Sequence, residues 1–350
     1  MNSSLCSLLG IQYPIMQGAF QWLATPELAA AVSNAGGLGT ISASLYQTKE
    51  ELTEAIARAK SLTDKPFCVN ISMFPEVVEG EKTWDFIAAC CQSQVPVVEL
   101  SGRDPKPFVE ELHGAGAKII HKSTAVRFAQ KAEAAGVDVV SVVGFECGGA
   151  PGNDDVTSMV LVPSVASAVH IPVIGGGGVC DGRSYLAMRA LGAEGVVIGT
   201  RFMATQECAI HPNFKKLLVD SNERATMVVQ RSIDFPHRNL KNETTLQVAE
   251  LEKGNPRLED IFPYVSGKRQ KKCYDSGDTQ GGVFPCGEVV GRIHDIPTVQ
   301  QLINRIVREA EAIALRFFER LGSKDEEKLL DGNTGIVIPG TWQTKEKKQE

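Results

Sequence analysis

Eight short apolar runs recur along the first two hundred residues, separated by segments of helical length, and this rhythm constrains the fold more than any other feature. The runs are Pro14–Gln17, Leu38–Ser42, Phe67–Ser72, Val95–Leu100, Lys118–Lys122, Val139–Val143, Pro172–Gly175 and Gly195–Gly199. Most are near-continuous rather than alternating, as expected of strands buried on both faces. The segments between them read as helices. Pro26–Ala35 follows Thr25, a residue type that caps helix N-termini, with proline next in line. Lys49–Ser61 carries Leu52, Ala55, Ile56 and Ala59 at helical spacing. Trp84–Cys91, Pro107–His113, Ala125–Ala135, Met159–Val169 and Arg183–Ala190 complete the set, and Gly114, Gly136 and Gly192 stand where helices would stop. Strand–helix alternation with short connections specifies a parallel sheet with right-handed crossovers. Eight such units predict an α/β fold closed into a (β/α)8 TIM barrel rather than an open sheet.

The last two runs lead into glycine: Gly175–Gly178 after the seventh and Gly199–Thr200–Arg201 after the eighth. Loops after strands 7 and 8 of such barrels commonly hold phosphate. Without a Cβ, backbone N–H groups can approach an anion closely. A phosphorylated cofactor is therefore expected. The βα rhythm stops after residue 208. Residues 209–285 hold polar helical stretches, the basic cluster Lys268, Arg269, Lys271 and Lys272, and then Gly277, Gly281 and Gly282. We read 1–208 as the barrel, 209–285 as a lid inserted after strand 8, and 286–322 as a return to the barrel with a closing helix at Val299–Leu321. Residues 323–350 form a charged tail ending in KEKKQE.

Bulk properties exclude several classes. The 350 residues are 43% apolar and 22% charged, ordinary for a globular protein. A net charge of −6 and a pI near 5.7 argue against nucleic acid as a partner. No apolar run reaches membrane-spanning length, and MNSSLCSLLGIQYP lacks the pattern of a signal peptide, so a cytoplasmic location and no membrane partner are expected. Nine cysteines without a C-x-x-C pair, and six scattered histidines, suggest reduced thiols and no metal. The expected partner is a small-molecule substrate, with a homodimer as the candidate assembly.

Chemistry-bearing residues gather at the ends of the strands. Asn70 and Ser72 end the third, and a Glu-rich loop opening at Met73–Phe74–Pro75 is long enough to act as a gate. His121 and Lys122 end the fifth. Because they alternate, one points into the barrel and the other toward a helix. Lys122 could set a cation beside a cofactor that gains negative charge on reduction, or could reach past the rim to solvent. After the sixth strand, Gly144–Gly152 holds four glycines in nine residues, implying close backbone approach to something flat or anionic. Cys147 within it reads more readily as a small buried residue than as a reactive thiol.

Together, PIMQGAFQW, AGGLGTIS, TDKPFCVNIS, KIIHKSTAVR, GFECGGAPG, PVIGGGGVCDGR, GTRFMATQECAIHP and GDTQGGVFPCGEVVG resemble the nitronate monooxygenase (2-nitropropane dioxygenase-like) family of FMN-dependent barrels. That family also includes flavin-type enoyl-acyl-carrier-protein reductases. The resemblance runs from about Leu9 to Leu321, and KIIHKSTAVR and GFECGGAPG, with Asp154 and Asp155 following, are most similar to its NADH:quinone reductase branch. It implies one FMN at the barrel mouth. Ala19, Phe20 and Gln21 match contacts near the ring, Ser72 and Lys122 contacts near its pyrimidine side, and Gly149 a further ring contact. Gly176, Gly177, Gly178, Gly199 and Thr200 match the phosphate turns. No second glycine-rich strand-to-helix turn is present for a pyrophosphate and adenosine, which favours FMN over FAD.

One departure bears on mechanism. The family usually carries a histidine after the paired small residues of the GFEC segment, as acid or base beside the flavin, and here that position is Ala150. Removing a proton from a nitroalkane needs a positioned base, whereas hydride transfer from a nicotinamide does not. The leading expectation is an FMN-dependent oxidoreductase that takes electrons from NADH or NADPH and reduces a quinone or an activated C=C bond. The alternatives are a nitronate monooxygenase acting on an already ionised nitronate, and a flavin-binding protein without turnover. The catalytic residue is unassigned, with His121, Tyr274 and Cys286 as candidate proton donors.

Overall fold

The computed structural model describes residues 3–73 and 82–321. The expected gate beyond Met73 and the charged tail lie outside the described residues. Eight strands form one parallel sheet: β1 (Ile15–Gln17), β2 (Gly39–Ser42), β3 (Phe67–Met73), β4 (Val97–Gly102), β5 (Lys118–Ser123), β6 (Val139–Val143), β7 (Val173–Gly176) and β8 (Gly195–Ile198). Neighbours pair in chain order, and β8 pairs with β1 in the register Ile15–Val196 to Gln17–Ile198. The ring closes between β1 and β2, where Gln17 N–H donates to Leu38 O and Leu38 N–H to Ile15 O, each at 2.9 Å. The fold is a (β/α)8 TIM barrel. The observed strands fall within two residues of those read from the apolar runs.

Helices Pro26–Asn34, Lys49–Leu62, Thr83–Gln92, Lys106–Gly114, Val126–Ala135, Ser158–Ala166 and Gly182–Ala190 surround the sheet. Their apolar faces pack against the outward side chains of the strands in one continuous core. The fit is close. A Cβ added at Gly39 would lie 1.8 Å from the Ala29 carbonyl oxygen, so β2 and its helix meet backbone against backbone. Inside the ring, Met16, Leu38, Cys68, Val97, Ile120, Val139, Ile174 and Val197 form a second core. A short helix, Ser4–Leu9, plugs the lower end of the barrel with Leu5 and Leu9. Ser3 caps this helix by accepting the Cys6 N–H. The plug is an addition to the expected architecture.

After β8 the chain leaves the barrel and forms helices Pro212–Asp220, Glu243–Glu252, Leu258–Val265 and Gly267–Ser276, with an antiparallel hairpin of β9 (Thr226–Val229) and β10 (His237–Leu240). Phe214, Tyr274 and Phe284 stack with ring centroids 4.7 to 5.3 Å apart. This aromatic group is continuous with the outer core of the barrel. The chain returns through helix Val299–Leu321, which packs on Gly182–Ala190, where Glu309 Oε2 accepts the Gly182 N–H at 3.0 Å. Arg201, buried at the end of β8, pairs with Asp295 at 2.8 Å and fixes that return. Among the described residues no helix is long and apolar enough to cross a membrane.

Two glycines separate close packing from glycine content as such. Gly39→Ala should cost about 1–3 kcal/mol or more, because the clash is with backbone that cannot rotate away. Gly114→Ala, at a helix end where an added Cβ meets nothing within 4 Å, should be neutral or stabilising by up to about 1 kcal/mol. Urea unfolding of both variants checks this, and equal midpoints would contradict it.

Candidate functional site

The C-terminal ends of the strands and the underside of the lid border a cleft of about 250 Å³, partly open to solvent. Barrel strands carry their functional groups at this end because loops, not packed side chains, form the surface there. The cleft collects Ala19, Phe20, Gln21, Ser72, Lys122, Gly149, Gly177, Gly178, Gly199 and Thr200. Of the residues expected to hold a flavin, Gly176 alone is absent from the lining. It lies within β7, where an added Cβ would sit 2.4 Å from Val197 Cγ1, so the lack of a side chain lets the barrel wall close.

The floor is polar because alternation turns Asn70, Glu99 and Lys122 inward at the upper end of the barrel. Asn70 Nδ2 donates to Glu99 Oε2 at 2.6 Å, and Ser72 Oγ lies 3.2 Å from Ser101 Oγ. Burial raises the carboxyl of Glu99 above its ordinary value, while the Lys122 charge and the Asn70 amide act the other way. The carboxylate thus stands beneath Lys122, which is half-buried and reaches the cleft. His121 points away from it. Its Nδ1 lies 3.0 Å from Ser123 Oγ and its Nε2 3.1 Å from the Arg103 carbonyl. Burial lowers its pKa, and it lines a separate cavity outside β4 and β5 together with Arg103 and Lys131.

The opposite wall is made of backbone. Gly177 and Gly178 have φ of +91° and +74°, a region that side chains rarely adopt, and a Cβ at Gly177 would lie 2.6 Å from Ser158 Oγ. A Cβ added at Gly199 would meet nothing within 4 Å, so the backbone there faces open space. Among the described residues, the N–H groups of Gly178 and Gly199 find no protein acceptor. Two bare glycine turns with free donors, facing a lysine across a cleft, fit a phosphate with a flat ring extending toward the cation. The turn Gly18–Trp22 borders the same space. Trp22 holds φ +69°, an unusual conformation for so bulky a residue, and its Nε1 is buried without a partner.

The lid adds the remaining wall through backbone pairing. Gly149 N–H donates to Arg238 O at 3.1 Å, and Arg238 N–H donates back to Gly149 O at 2.8 Å. The Arg238 guanidinium bonds Phe145 O at 3.1 Å, pairs with Glu288 at 2.8 Å and lies 4.6 Å over the Phe145 ring. This seam brings His237 into the cleft, and among the described residues it is the only histidine lining it. Burial and the Lys122 charge push its pKa down to about 4. Ala150 lines the cleft beside it. Cys147 also lines it, but burial holds its thiol at about 11 and leaves it protonated. Tyr274 is packed among Phe214 and Phe284, and Cys286 is fully buried with its thiol pushed up to about 12. Neither lines the cleft, and neither does His121.

The profile of the nitronate monooxygenase family matches residues 2–309. The chain belongs to the nitronate monooxygenase family. It is therefore an oxidoreductase. A relative from Rhodococcus jostii strain RHA1, (3aS,4S,5R,7aS)-5-hydroxy-7a-methyl-1-oxo-octahydro-1H-indene-4-carboxyl-CoA dehydrogenase, is 33% identical over 89% of this chain and 96% of its own. A probable nitronate monooxygenase of Staphylococcus saprophyticus is 30% identical over 90% of this chain and 99% of its own. Among solved structures, FabK from Thermotoga maritima superposes with a TM-score of 0.85 at 35% identity, covering 91% of this chain and 99% of that one.

Sequence reasoning in this nitronate monooxygenase family member missed Glu99, Arg238 and His237. Glu99 was visible as one acidic residue inside the apolar run Val95–Leu100, where only a buried partner explains it. His237 and Arg238 left no local signal, because their role depends on where a distant hairpin docks. Glu99 also yields a prediction. Its pKa is raised on folding, so the folded chain holds this proton more tightly than the unfolded chain does. Ionisation at neutral pH therefore costs stability, and the cost fades as pH falls toward the carboxylate range. Glu99→Gln should melt at an equal or higher temperature than the parent at pH 7.5, with the gap shrinking toward pH 5. A variant that melts lower at pH 7.5 would show that pairing with Lys122 outweighs burial.

Proposed function

We propose that this protein is an FMN-dependent oxidoreductase that takes a hydride from NADH or NADPH and reduces an electron-poor C=C bond conjugated to a carbonyl. An acyl-CoA thioester is the first acceptor class to test, because the Rhodococcus relative is named for a CoA thioester. The observation that carries the reading is the pairing of the free glycine turns at Gly177–Gly178 and Gly199 with Lys122 on the facing wall. Gly177, Gly178, Gly199 and Thr200 would hold the phosphate. Ala19, Phe20 and Gln21 would border the ring, with Ser72 and Gly149 at its edges. Bound flavin would accept a hydride and pass it to one carbon of the double bond, and a proton from solvent would complete the other C–H bond.

The protein's own part is electrostatic and steric. Lys122, close enough to Glu99 for its charge to act on that carboxyl, places positive charge where negative charge grows on reduction. The Gly149–Arg238 seam keeps the lid over the cleft and limits water. The same arrangement disfavours abstraction of a carbon-bound proton at neutral pH. A general base works best with a pKa near the working pH, and the cleft's imidazole lies near 4.

Anaerobic mixing with NADH or NADPH should bleach the visible absorbance of the bound flavin, and crotonyl-CoA should then restore it. Restoration by menadione instead would assign the acceptor to the quinones. Bleaching by a nitronate but by neither nicotinamide would overturn the proposal. Lys122→Met should lower the midpoint potential of the bound flavin, by about 1–3 kcal/mol in free energy if the charge acts through a poorly solvated site. An unchanged midpoint in potentiometric titration would remove Lys122 from that role.

A further inference from the structure

We propose that His237, presented by the lid hairpin, recognises the carbonyl oxygen of the acceptor by donating a hydrogen bond from a neutral imidazole. The inference rests on the cleft being the reductive site argued above, and it assigns to the lid a specific chemical contact. His237 occupies the first position of β10, and its backbone is pinned on both sides. Arg238 pairs with Gly149, and Asn239 Nδ2 donates to the His237 carbonyl at 3.0 Å. The Phe235 ring lies 5.2 Å from the imidazole at a 30° tilt and restricts its rotation. A Cβ added at Gly149 would sit 3.8 Å from His237 Cε1, so the ring lies directly over the loop after β6, beside Ala150. The small residues Gly148, Gly149 and Ala150 leave that space to a side chain arriving from the lid.

Chemistry limits what a histidine can do there. Burial and Lys122 both oppose a second proton on the ring and outweigh the Asn239 side chain, which acts the other way, so the imidazole meets its ligand uncharged. A neutral imidazole N–H is a weak acid. It can hold a hydrogen bond to an oxygen that gains negative charge, and strengthen it, without losing the proton. The ligand group it suits is an uncharged acceptor oxygen, as in a thioester or enone carbonyl. An ionised carboxylate gains less from it than from Lys122. The two groups thus divide the cleft: Lys122 at the floor faces growing charge on the ring side, and His237 in the roof faces the carbonyl.

Flavin-loaded protein without nicotinamide binds an acceptor without turning it over, so contact can be measured apart from activity. Crotonyl-CoA is titrated against the parent, His237→Phe and His237→Gln by calorimetry. In parallel, histidine-selective nitrogen-15 NMR follows the imidazole of the parent. We expect His237→Phe to weaken binding about tenfold, the usual effect of losing one uncharged hydrogen bond. His237→Gln, which keeps an N–H donor, should recover most of the loss. The His237 resonances should report a neutral ring at pH 7 and should move on saturation with ligand. Equal affinity of His237→Phe and the parent, imidazole signals unmoved by bound ligand, or no binding of crotonyl-CoA to the parent would each overturn the assignment. Reduction of the parent's flavin by nicotinamide, measured without acceptor, tests the reductase reading separately, so the two failures are distinguishable.

Discussion

The two reciprocal hydrogen bonds between Gly149 and Arg238 are the contact on which the site depends. They tie the hairpin to the loop after β6, while Leu240 N–H to Phe284 O at 2.8 Å and Cys286 N–H to Arg238 O at 3.2 Å tie it to the segment returning to the barrel. A backbone seam needs close approach, and Gly149 allows it with φ +81° and no side chain in the way. It also needs the Arg238 side chain to be satisfied after burial, which Phe145 O, Thr226 Oγ1 and Glu288 accomplish together. One short pairing thereby joins the loop after β6, the hairpin and the segment that returns to the barrel.

Below the seam, the barrel interior changes from apolar to polar along its axis. Leu5, Leu9 and the lower strand residues make a dry plug, and Asn70, Glu99 and Lys122 stand above it. A buried carboxylate is tolerated there because an amide and a cation face it. Lys122 lines the cleft above this floor, so its charge faces the site. The glycine turns at the ends of β7 and β8 face it with unclaimed donors. The site is therefore asymmetric by construction, with backbone donors on one wall and a side-chain cation on the other.

Much of this was legible in the chain. The eight apolar runs located every barrel strand, since strands buried on both faces leave an unmistakable hydrophobic signature. The rule that β7 and β8 loops bind phosphate pointed to Gly177, Gly178 and Gly199, and alternation required one of His121 and Lys122 to face the barrel interior without telling which. The residues that lie outside the cleft share one cause. Gly176 belongs to the same glycine run yet serves the barrel wall, and only the position of Val197 shows it. His121, Tyr274 and Cys286 carry suitable chemistry, but tertiary packing turns each away from the cleft. His237 lies in a segment without strong periodicity, and its importance comes from a hairpin docking some ninety residues away in sequence, at Gly149. Local pattern records what a residue is built for. It does not record what a distant segment will be packed against.

The central claim is that the cleft is a mononucleotide site whose phosphate donors are the glycine turns after β7 and β8. Releasing the cofactor from the purified protein by heat and separating it by chromatography tests this directly. The account predicts FMN in equal molar ratio to the chain. FAD, or protein that carries no flavin and takes up none when FMN is supplied, would contradict it.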